Sequence, residues 1–582
     1  MSNMIQAAKE QVALLTRNAY EKAAAAGLLP AEIAVSASVD IPKEVSHGDY
    51  ASSFAMAGAK AMHLAPRAIA QIILEHLDLE DSFFDKAEIA GPGFLNFFLG
   101  SKWFGAVLTD IEQEGAVYGS VDEGGGRRVM VEFVSANPTG PMHMGNARGG
   151  VLGDALAAVL KRAGYDTWKE FYVNDAGNQI HKFAESIQAR YLQILLGEEK
   201  VPFPENGYQG EDIKELAQAF YAEHGDAYRD VPAEQRMETM AAFGLKTNIP
   251  KMKEDLRRYK IEYDQWFYES ELHESGCVAE TVQMLVDKGW TYEKDDALWL
   301  NTTELLKAKF MREGKTQAQV DKLDLKDDVL RRGNGFYTYF AADIAYHRNK
   351  LEARGFESAI NIWGADHHGH VARLQAALDG LGLDGSRRLV VVLMQLVNLL
   401  QDGKPVRMSK RSGKAIALHD LLDEIPVDAA RYFFSSRNSN SPLDFDLDLA
   451  VREDSENPVY YVQYAHARIC SLVARMKEEG VQVPPAADVD VALLTAPEEL
   501  ALAKTLAQLP EEIRLAARDY DPSRISRYLL VLAGDFHRFY NACRIREEAP
   551  ALRDARLKLA DTVRAVLANC LDLIGVTAPE KM

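Results

Sequence analysis

The chain has 582 residues, of which 47% are hydrophobic and 26% charged, and it carries a formal net charge of −20 at pH 7. This length predicts about three or four domains, and the acidic total argues against indiscriminate nucleic-acid binding, which needs clustered Lys and Arg. An RNA partner held by local basic patches stays open. The sequence has no apolar run of about 18 residues and no charged-then-apolar leader, so we expect neither a membrane span nor secretion. Four scattered cysteines favour reduced thiols and a cytoplasmic location.

Residues 1–115 predict an α+β domain. A helical pattern extends from Met4 to Gly27, and the alternation of residues 34–39 predicts a strand. A Gly-Pro-Gly turn indicates two paired strands. After this domain, three glycines within residues 123–127 predict a flexible joint. The remaining expected elements are helices over 51–65 and 66–77 and strands over 86–90 and 93–99.

Strands and helices alternate over residues 128–435, which predicts a Rossmann-like domain built on a doubly wound parallel sheet. Its first strand, residues 129–134, leads through a Pro/Gly loop into a helix whose apolar residues share one face. A polar stretch over about 183–260 predicts a helical insertion. The other expected elements are strands over 167–173, 358–364 and 388–394 and a hairpin turn at 402–403.

Residues 455–582 predict an all-α helical bundle, because glycine, proline and strand signals become rare there. The chain is thus a multidomain α/β protein with an N-terminal α+β domain and a C-terminal helical domain. The periodicity places helices over 459–476, 497–519, 522–549 and 551–573.

The loop after the first strand of the sheet domain is one candidate site. Ligands of open α/β sheets bind at the carboxyl ends of strands, beside helix N-termini. His143 and Asn146 stand one helical turn apart in this loop, so both can donate hydrogen bonds to one phosphate. Taken alone, the pattern fits a capped helix start with a chance histidine equally well.

A second candidate is the sequence RMSKRSGK at residues 407–414, with four cations in eight positions. Such a loop can neutralise the charge that develops on a pyrophosphate leaving group. A generic basic surface loop is the alternative. A Walker A loop does not fit, because Met408 stands where the first glycine should be and Ala415 follows Lys414.

Together and in this order, the two motifs resemble the signatures of class I aminoacyl-tRNA synthetases. HMGN at 143–146 resembles His-x-Gly-His, and RMSKR at 407–411 resembles Lys-Met-Ser-Lys-Ser. The likeness to arginyl-tRNA synthetases extends over nearly the whole chain, and it implies a tRNA-contacting N-terminal domain and a C-terminal anticodon-binding domain. The segments that carry it are GDYA at 48–51, IAGPGF at 89–94, EFVSANPTGP at 132–141, YVNDAGNQ at 172–179, YTYFAADIAY at 337–346 and DAAR at 428–431.

The resemblance implies roles for individual residues. His143, Asn146 and Lys410 are the implied catalytic residues, although Asn146 replaces the second His of its signature, and Arg407 and Arg411 replace the outer Lys and Ser of theirs. The implied ATP-binding residues are His143, Gly145, Asn146, Met408, Ser409, Lys410 and Arg411.

An arginine pocket needs carboxylates that match the planar guanidinium. Tyr339 and Asp343 lie at i and i+4 of an expected helix and therefore share a face, although a solvated helix carboxylate is the simpler explanation of Asp343 from the residues alone. The resemblance implies that Tyr339, Asp343 and Glu269 hold the guanidinium, and that Glu132 and Asn137 hold the α-amino and carboxylate end.

The histidine-rich sequence DHHGH at residues 366–370 is a possible zinc site. No second group of ligands with suitable spacing accompanies it in the sequence. The resemblance implies instead that this segment forms a wall of the ATP and arginine pocket, so we expect no metal site.

The implied reaction is the ligation of L-arginine to tRNA(Arg) through an arginyl-adenylate, with ATP and Mg²⁺ as a substrate complex and no tightly bound cofactor. We expect a cytoplasmic monomer without membrane contact. Two alternatives are a small-molecule nucleotidyltransferase with the same His-x-Gly-His loop, and a catalytically silent tRNA-binding scaffold. The first leaves the two outer domains unexplained, and His143 and Lys410 argue against the second.

Overall fold

The computed structural model describes residues 3–406 and 416–582. Among the helices in these ranges, none combines the length and the apolar character that crossing a membrane requires. The predicted fold class is confirmed: an α+β unit, a parallel-sheet unit and a helical bundle follow one another along the chain.

The N-terminal unit packs helices on an antiparallel sheet with strand order β1-β2-β4-β3. Its elements are α1 (Met4–Ala25), β1 (Val39–Asp40), β2 (Tyr50–Ser52), α2 (Phe54–Met62), α3 (Pro66–Glu75), β3 (Phe84–Ala90), β4 (Phe94–Leu99) and α4 (Ser101–Glu114). The helix predicted from residue 51 begins only at Phe54, because the preceding residues form β2, all of them buried. The strand predicted over 34–39 is wrong except at its end. Before Val39 the chain bonds to Ser53 instead of to a neighbouring strand.

The glycine-rich joint at 123–127 is held in place, contrary to the sequence prediction. Gly124 N–H donates to Ala163 O, and Gly126 N–H donates to Gly164 O, each at 2.8 Å. A Cβ at Gly124 would collide with the backbone of Gly164. The glycines therefore permit a close backbone approach between the two units.

The central unit is built on a five-stranded parallel sheet with order β12-β11-β5-β6-β7. Its elements up to the end of the helical insertion are β5 (Arg128–Glu132), α5 (Met144–Arg162), β6 (Asp166–Val173), α6 (Gly177–Leu196), α7 (Glu211–His224) and α8 (Ala233–Arg258). The insertion helices α6, α7 and α8 share a small core of their own around Phe183 and Phe220.

The rest of this unit adds two three-stranded sheets, β10-β9-β8 and β14-β13-β15. The elements are β7 (Gln265–Tyr268), α9 (Glu269–Glu274), α10 (Cys277–Asp287), β8 (Thr291–Lys294), β9 (Ala297–Leu300), α11 (Thr302–Arg312), α12 (Gln317–Val320), β10 (Asp328–Arg331), α13 (Tyr339–Arg348), β11 (Ser358–Gly364), α14 (His368–Leu381), α15 (Gly385–Arg388), β12 (Leu389–Met394), β13 (Val397–Gln401), β14 (Lys404–Val406), α16 (Leu418–Glu424), α17 (Val427–Ser435), β15 (Leu443–Asp446) and α18 (Leu447–Ala450). The predicted hairpin turn joins β13 to β14.

The C-terminal bundle contains α19 (Pro458–Glu478), α20 (Pro497–Leu506), α21 (Leu509–Arg518), α22 (Ser523–Ala542) and α23 (Pro550–Leu573). The single helix predicted over 497–519 is two helices, α20 and α21, and Pro510 lies in the first turn of α21. Proline fits a first turn because no intrahelical partner awaits its missing N–H there.

Arg431 of α17 joins the central unit to the end of the bundle. Its side chain is fully buried, donates to the backbone oxygens of Tyr259 and Ile574 at 2.9 Å each, and pairs with Asp154 of α5 at 2.5 Å. Gly575, at φ +66°, follows directly, and a Cβ there would collide with the guanidinium. One arginine thus ties α5, the end of the insertion and the last helix together.

We expect Arg431→Met to lower the free energy of unfolding by about 3–5 kcal/mol, because the change leaves the carbonyls of Tyr259 and Ile574 without this donor and takes one of two cationic partners from Asp154. Urea denaturation of the full chain, followed by circular dichroism, measures the effect. Arg437→Met is the matched control, since Arg437 is exposed. Equal midpoints for the two variants would contradict the structural role of Arg431.

Candidate active site

A large cleft lies where the strand order of the parallel sheet reverses, between β5 and β11. It has a volume of about 1550 Å³, and ligands of doubly wound sheets bind at such a switch point. Five residues with roles implied by the sequence line it: Glu132, His143, Gly145, Asn146 and Asp343. The structure therefore brings the first signature and one predicted guanidinium ligand into one cleft.

The signature loop leaves β5 through a strained turn. Val134 has φ +69° and Ser135 has φ +43°, a region that β-branched residues such as valine rarely adopt. The Ser135 hydroxyl donates to Glu132 Oε1 at 2.9 Å and accepts the N–H of Tyr172 at 3.2 Å. These bonds fix the turn that carries the chain from the strand into the cleft.

Helix α5 begins directly after His143, its N-cap residue. The Asn146 side-chain oxygen accepts the backbone N–H of His143 at 3.0 Å, so Asn146 closes the first turn of the helix. The positive end of the helix dipole and its free N–H groups face an anion at this position. The departure from the signature at Asn146 thus has a local structural function, and the side chain still lines the cleft.

The second signature, with Arg407, Met408, Ser409, Lys410 and Arg411, lies outside the described residues. The described segment after the second signature, which starts at residue 416, contacts the first signature. Ala417 forms an antiparallel bridge with His143, and Leu418 N–H donates to Met142 O at 2.7 Å. The chain directly after the second signature is therefore held beside the loop that carries His143.

Asp343 lies on α13, with its side chain 26% exposed at the cleft wall. Nε2 of His370 is 2.5 Å from Oδ2 of Asp343, and Nδ1 of His347 is 3.3 Å from Oδ1. Burial alone would raise the pKa of Asp343, but the hydrogen bonds from His347 and His370 lower it well below its ordinary value. This carboxylate is therefore ionised at neutral pH and available to a cation.

The histidine-rich segment at 366–370 forms part of the cleft wall, and Asp366, His367 and His370 line it. His370 uses Nε2 to contact Asp343. Over the described ranges, no group of three or more His, Cys, Asp or Glu side chains is arranged to hold a metal ion.

Asn137, Glu269 and Tyr339 are not among the cleft-lining residues that the structure describes. Asn137 donates to the Gln179 side chain at 2.5 Å, and the Tyr339 hydroxyl accepts the N–H of Asn178 at 3.2 Å. Asn137 and Tyr339 therefore meet the same first turn of α6, and Tyr339 is 46% exposed there.

Glu269 begins α9 and is buried behind Tyr172, which lines the cleft and donates a hydrogen bond to it. Burial raises the pKa of Glu269 above its ordinary value, and the contacts with Tyr172 and His273 offset part of that rise. A guanidinium that reached Glu269 would favour the ionised carboxylate and so oppose the effect of burial on its pKa.

Arginine affinity is therefore expected to increase as pH rises above 4.5, the ordinary pKa that burial exceeds at Glu269. While the Glu269 carboxyl is protonated, arginine binding must displace its proton. Calorimetric titration with arginine between about pH 5 and 7 measures the proton release. Glu269→Gln should flatten the profile, whereas Glu274→Gln, at an exposed position of the same helix, should keep it. An unchanged profile in Glu269→Gln would contradict contact with the guanidinium.

The sequence reasoning missed three polar residues of the site: Tyr172, Lys350 and Asn361. Asn361 is fully buried in β11 and contacts Glu132 at 3.0 Å. A polar residue in the middle of an apolar parallel strand is the signal that could have found it, because buried polar side chains need partners. Lys350 gave no such signal, since a lysine near the end of a helix usually faces water.

Family models match three consecutive parts of the chain. "Arginyl tRNA synthetase N terminal domain" matches residues 11–99, "tRNA synthetases class I (R), catalytic domain" matches 108–453, and "DALR anticodon binding domain" matches 462–582. The catalytic model alone spans more than half of the chain. The chain belongs to the arginyl-tRNA synthetases.

Curated relatives agree with this arginyl-tRNA synthetase assignment, and a solved structure shares the fold. The chain is 51% identical to the arginine–tRNA ligase of Caldanaerobacter subterraneus subsp. tengcongensis and 48% identical to that of Acetivibrio thermocellus, each over 100% of both chains. Its fold is similar to Thermus thermophilus arginyl-tRNA synthetase, with a TM-score of 0.69 at 22% identity over 99% of this chain and 100% of that one. The predicted enzyme class and reaction, ATP-dependent ligation of arginine to tRNA for protein synthesis, are confirmed. A small nucleotidyltransferase would not account for the two outer matches.

Proposed function

We propose that arginine and ATP bind together in the cleft between β5 and β11 and react there to arginyl-adenylate. The observation that carries the proposal is that Asp343, an ionised carboxylate, lines the same cleft as His143 and Asn146 at the start of α5. Residues that can bind a guanidinium and residues that can bind a phosphate thus line the same cleft. An oxygen of the arginine carboxylate attacks the α-phosphorus of ATP, and pyrophosphate leaves. A ribose hydroxyl of the tRNA 3′ end, the 2′ hydroxyl by resemblance to class I enzymes, then attacks the arginyl carbonyl, and AMP leaves.

We assign the ATP-facing roles to His143, Gly145, Asn146 and the second signature. His143 and the N–H groups of α5 donate hydrogen bonds where negative charge develops on the α-phosphate. Lys410 neutralises the pyrophosphate, as its resemblance to the second signature implies. ATP enters as its Mg²⁺ complex, so the ion belongs to the substrate.

We assign the arginine-facing roles to Asp343, Tyr339 and Glu269 at the guanidinium and to Glu132 and Asn137 at the α-amino and carboxylate end. Support is strongest for Asp343 and Glu132, which line the cleft. Tyr339 and Asn137 meet at the first turn of α6, and we propose that this turn also contacts arginine.

We further propose the domain division 1–115, 128–435 and 455–582, with the helical insertion at about 183–260. The outer domains hold tRNA(Arg), and the enzyme acts as a cytoplasmic monomer. Because the resemblance implies that bound tRNA is needed for activation, we expect little ATP–pyrophosphate exchange without it.

Aminoacylation of total tRNA with each of the standard amino acids tests the function. Arginine alone should be charged, and exchange should appear only when tRNA is present. Charging of a different amino acid would overturn the specificity. Absence of charging with every amino acid would favour the silent scaffold.

A further inference from the structure

Lys350 is a fully buried lysine at the back of the cleft. It lies in a π-helical turn over Asn349–Ala353 that continues α13, and such wide turns are frequent at functional sites. Its ammonium is 2.5 Å from Glu132 Oε2 and lies over the Tyr346 ring, 4.0 Å from the centroid. Neither the resemblance nor the sequence pattern assigned it a role.

Two buried side chains extend this pair to Asp343. The Asn361 amide donates to Glu132 Oε2 and to Nε2 of His347, each at 3.0 Å. His347 therefore carries its proton on Nδ1, which donates to the backbone oxygen of Asp343 at 2.9 Å. The chain of contacts runs from Lys350 and Glu132 through Asn361 and His347 to Asp343.

This chain connects the two carboxylates that face opposite ends of arginine in the proposed function. Glu132 Oε2 is occupied by Lys350 and Asn361, and Oε1 accepts from Ser135. Because both of its oxygens are held, the Glu132 carboxylate has one orientation. The buried side chains of Asn361 and His347 fix its distance from Asp343. A buried ion pair adds little net stability over an apolar pair of the same shape, but it does fix geometry.

We propose that Lys350 is a positioning residue for amino-acid selection: through Glu132, Asn361 and His347 it sets the separation between the two carboxylates, and thereby the length of side chain that the cleft accepts. The inference rests on the proposed function of Glu132 and Asp343. Lys350 touches neither substrate in this scheme and acts through Glu132 and Asn361, which it contacts.

The test compares the full-length enzyme with Lys350→Met in aminoacylation of tRNA(Arg). The Michaelis constant for arginine should rise about tenfold or more while that for ATP stays the same, because only the arginine end of the cleft loses its fixed carboxylate. Selection of arginine over homoarginine, one methylene longer, should fall, since a well-fitted pocket discriminates one methylene by about 10- to 200-fold. Lys350→Arg, which keeps the charge, should recover part of the selection.

Lys558→Met is the matched control, because Lys558 is likewise buried and paired with a carboxylate, that of Glu112, far from the cleft in sequence. It should leave both selectivity and the arginine constant unchanged. If Lys350→Met does not fold, Glu132→Gln/Lys350→Met removes both charges, and it should match Glu132→Gln in arginine constant and selectivity.

Three outcomes would each overturn the positioning role. One is an equal change in the Michaelis constants for arginine and ATP, and another is retained selection against homoarginine. The third is a double variant with a higher arginine constant or lower selectivity than Glu132→Gln. If the unmodified enzyme charged no arginine at all, the proposed function would fail instead, so the two failures are distinguishable.

Discussion

Asp343→Asn is expected to lower kcat/KM for arginine by about two to three orders of magnitude, because truncating one side of a desolvated charge pair costs about 2–5 kcal/mol. Asparagine has the shape of aspartate, but it presents one acceptor and no charge to the guanidinium. The pair with His370 shows that this carboxylate is positioned to hold a cationic or N–H group. Steady-state aminoacylation with varied arginine measures the loss.

Asp324→Asn is the control, since Asp324 lines the same cleft with an exposed carboxylate that pairs with Lys326. We expect kcat/KM within about twofold of the unmodified enzyme there, as for most surface changes. A thermal midpoint for each variant separates loss of binding from loss of fold. Similar kinetics for the two variants would remove Asp343 from the guanidinium site.

The second large effect is expected at His143. His143→Ala should lower the rate of ATP–pyrophosphate exchange, measured with tRNA present, by about 10²–10³, the cost of losing one donor to developing charge. The Michaelis constant for arginine should change little, because His143 faces the phosphate end of the cleft.

His368→Ala provides the comparison. His368 begins α14 and is exposed, and it is not among the residues that line the described cleft. Its exchange rate should equal that of the unmodified enzyme. An exchange rate in His143→Ala that stays within a few-fold of this control would show that α5 holds the α-phosphate through its backbone alone.

Four of the five strands of the sheet that carries the site could be predicted from the sequence, because strands such as β11 and β12 read as nearly continuous apolar runs. The strand predicted at 358–364 matches β11 to the residue. The strand predicted at 34–39 failed for the converse reason: alternation indicates a half-buried strand, but it does not supply a neighbour to pair with. Ser53 bonds to Ser38 through its side chain and ends the ladder there.

The sequence predicts those site residues whose location in the cleft depends only on the order of strands and helices along the chain. His143 and Asn146 follow a strand and begin a helix, so their position at the cleft follows from order alone. The contact of His370 with Asp343 was not predictable, because it depends on how α13 packs against α14. The burial of Lys350 was not predictable for a related reason. Lys350 lies in a widened helical turn, and the hydrophobic pattern of the sequence does not indicate such a turn.

The contacts of Arg431 also bear on how the enzyme is made. Asp154 in the signature helix shares this arginine with the carbonyl of Ile574, at the end of the last helix. On the ribosome, the parallel sheet is synthesised long before residue 574 emerges, so the nascent catalytic domain must wait with a buried charge partly unsatisfied. Domains usually fold in order of synthesis, but here the helix that carries the first signature shares an arginine with a carbonyl that is synthesised much later. The C-terminal bundle thus helps to hold the helix on which the active site is built.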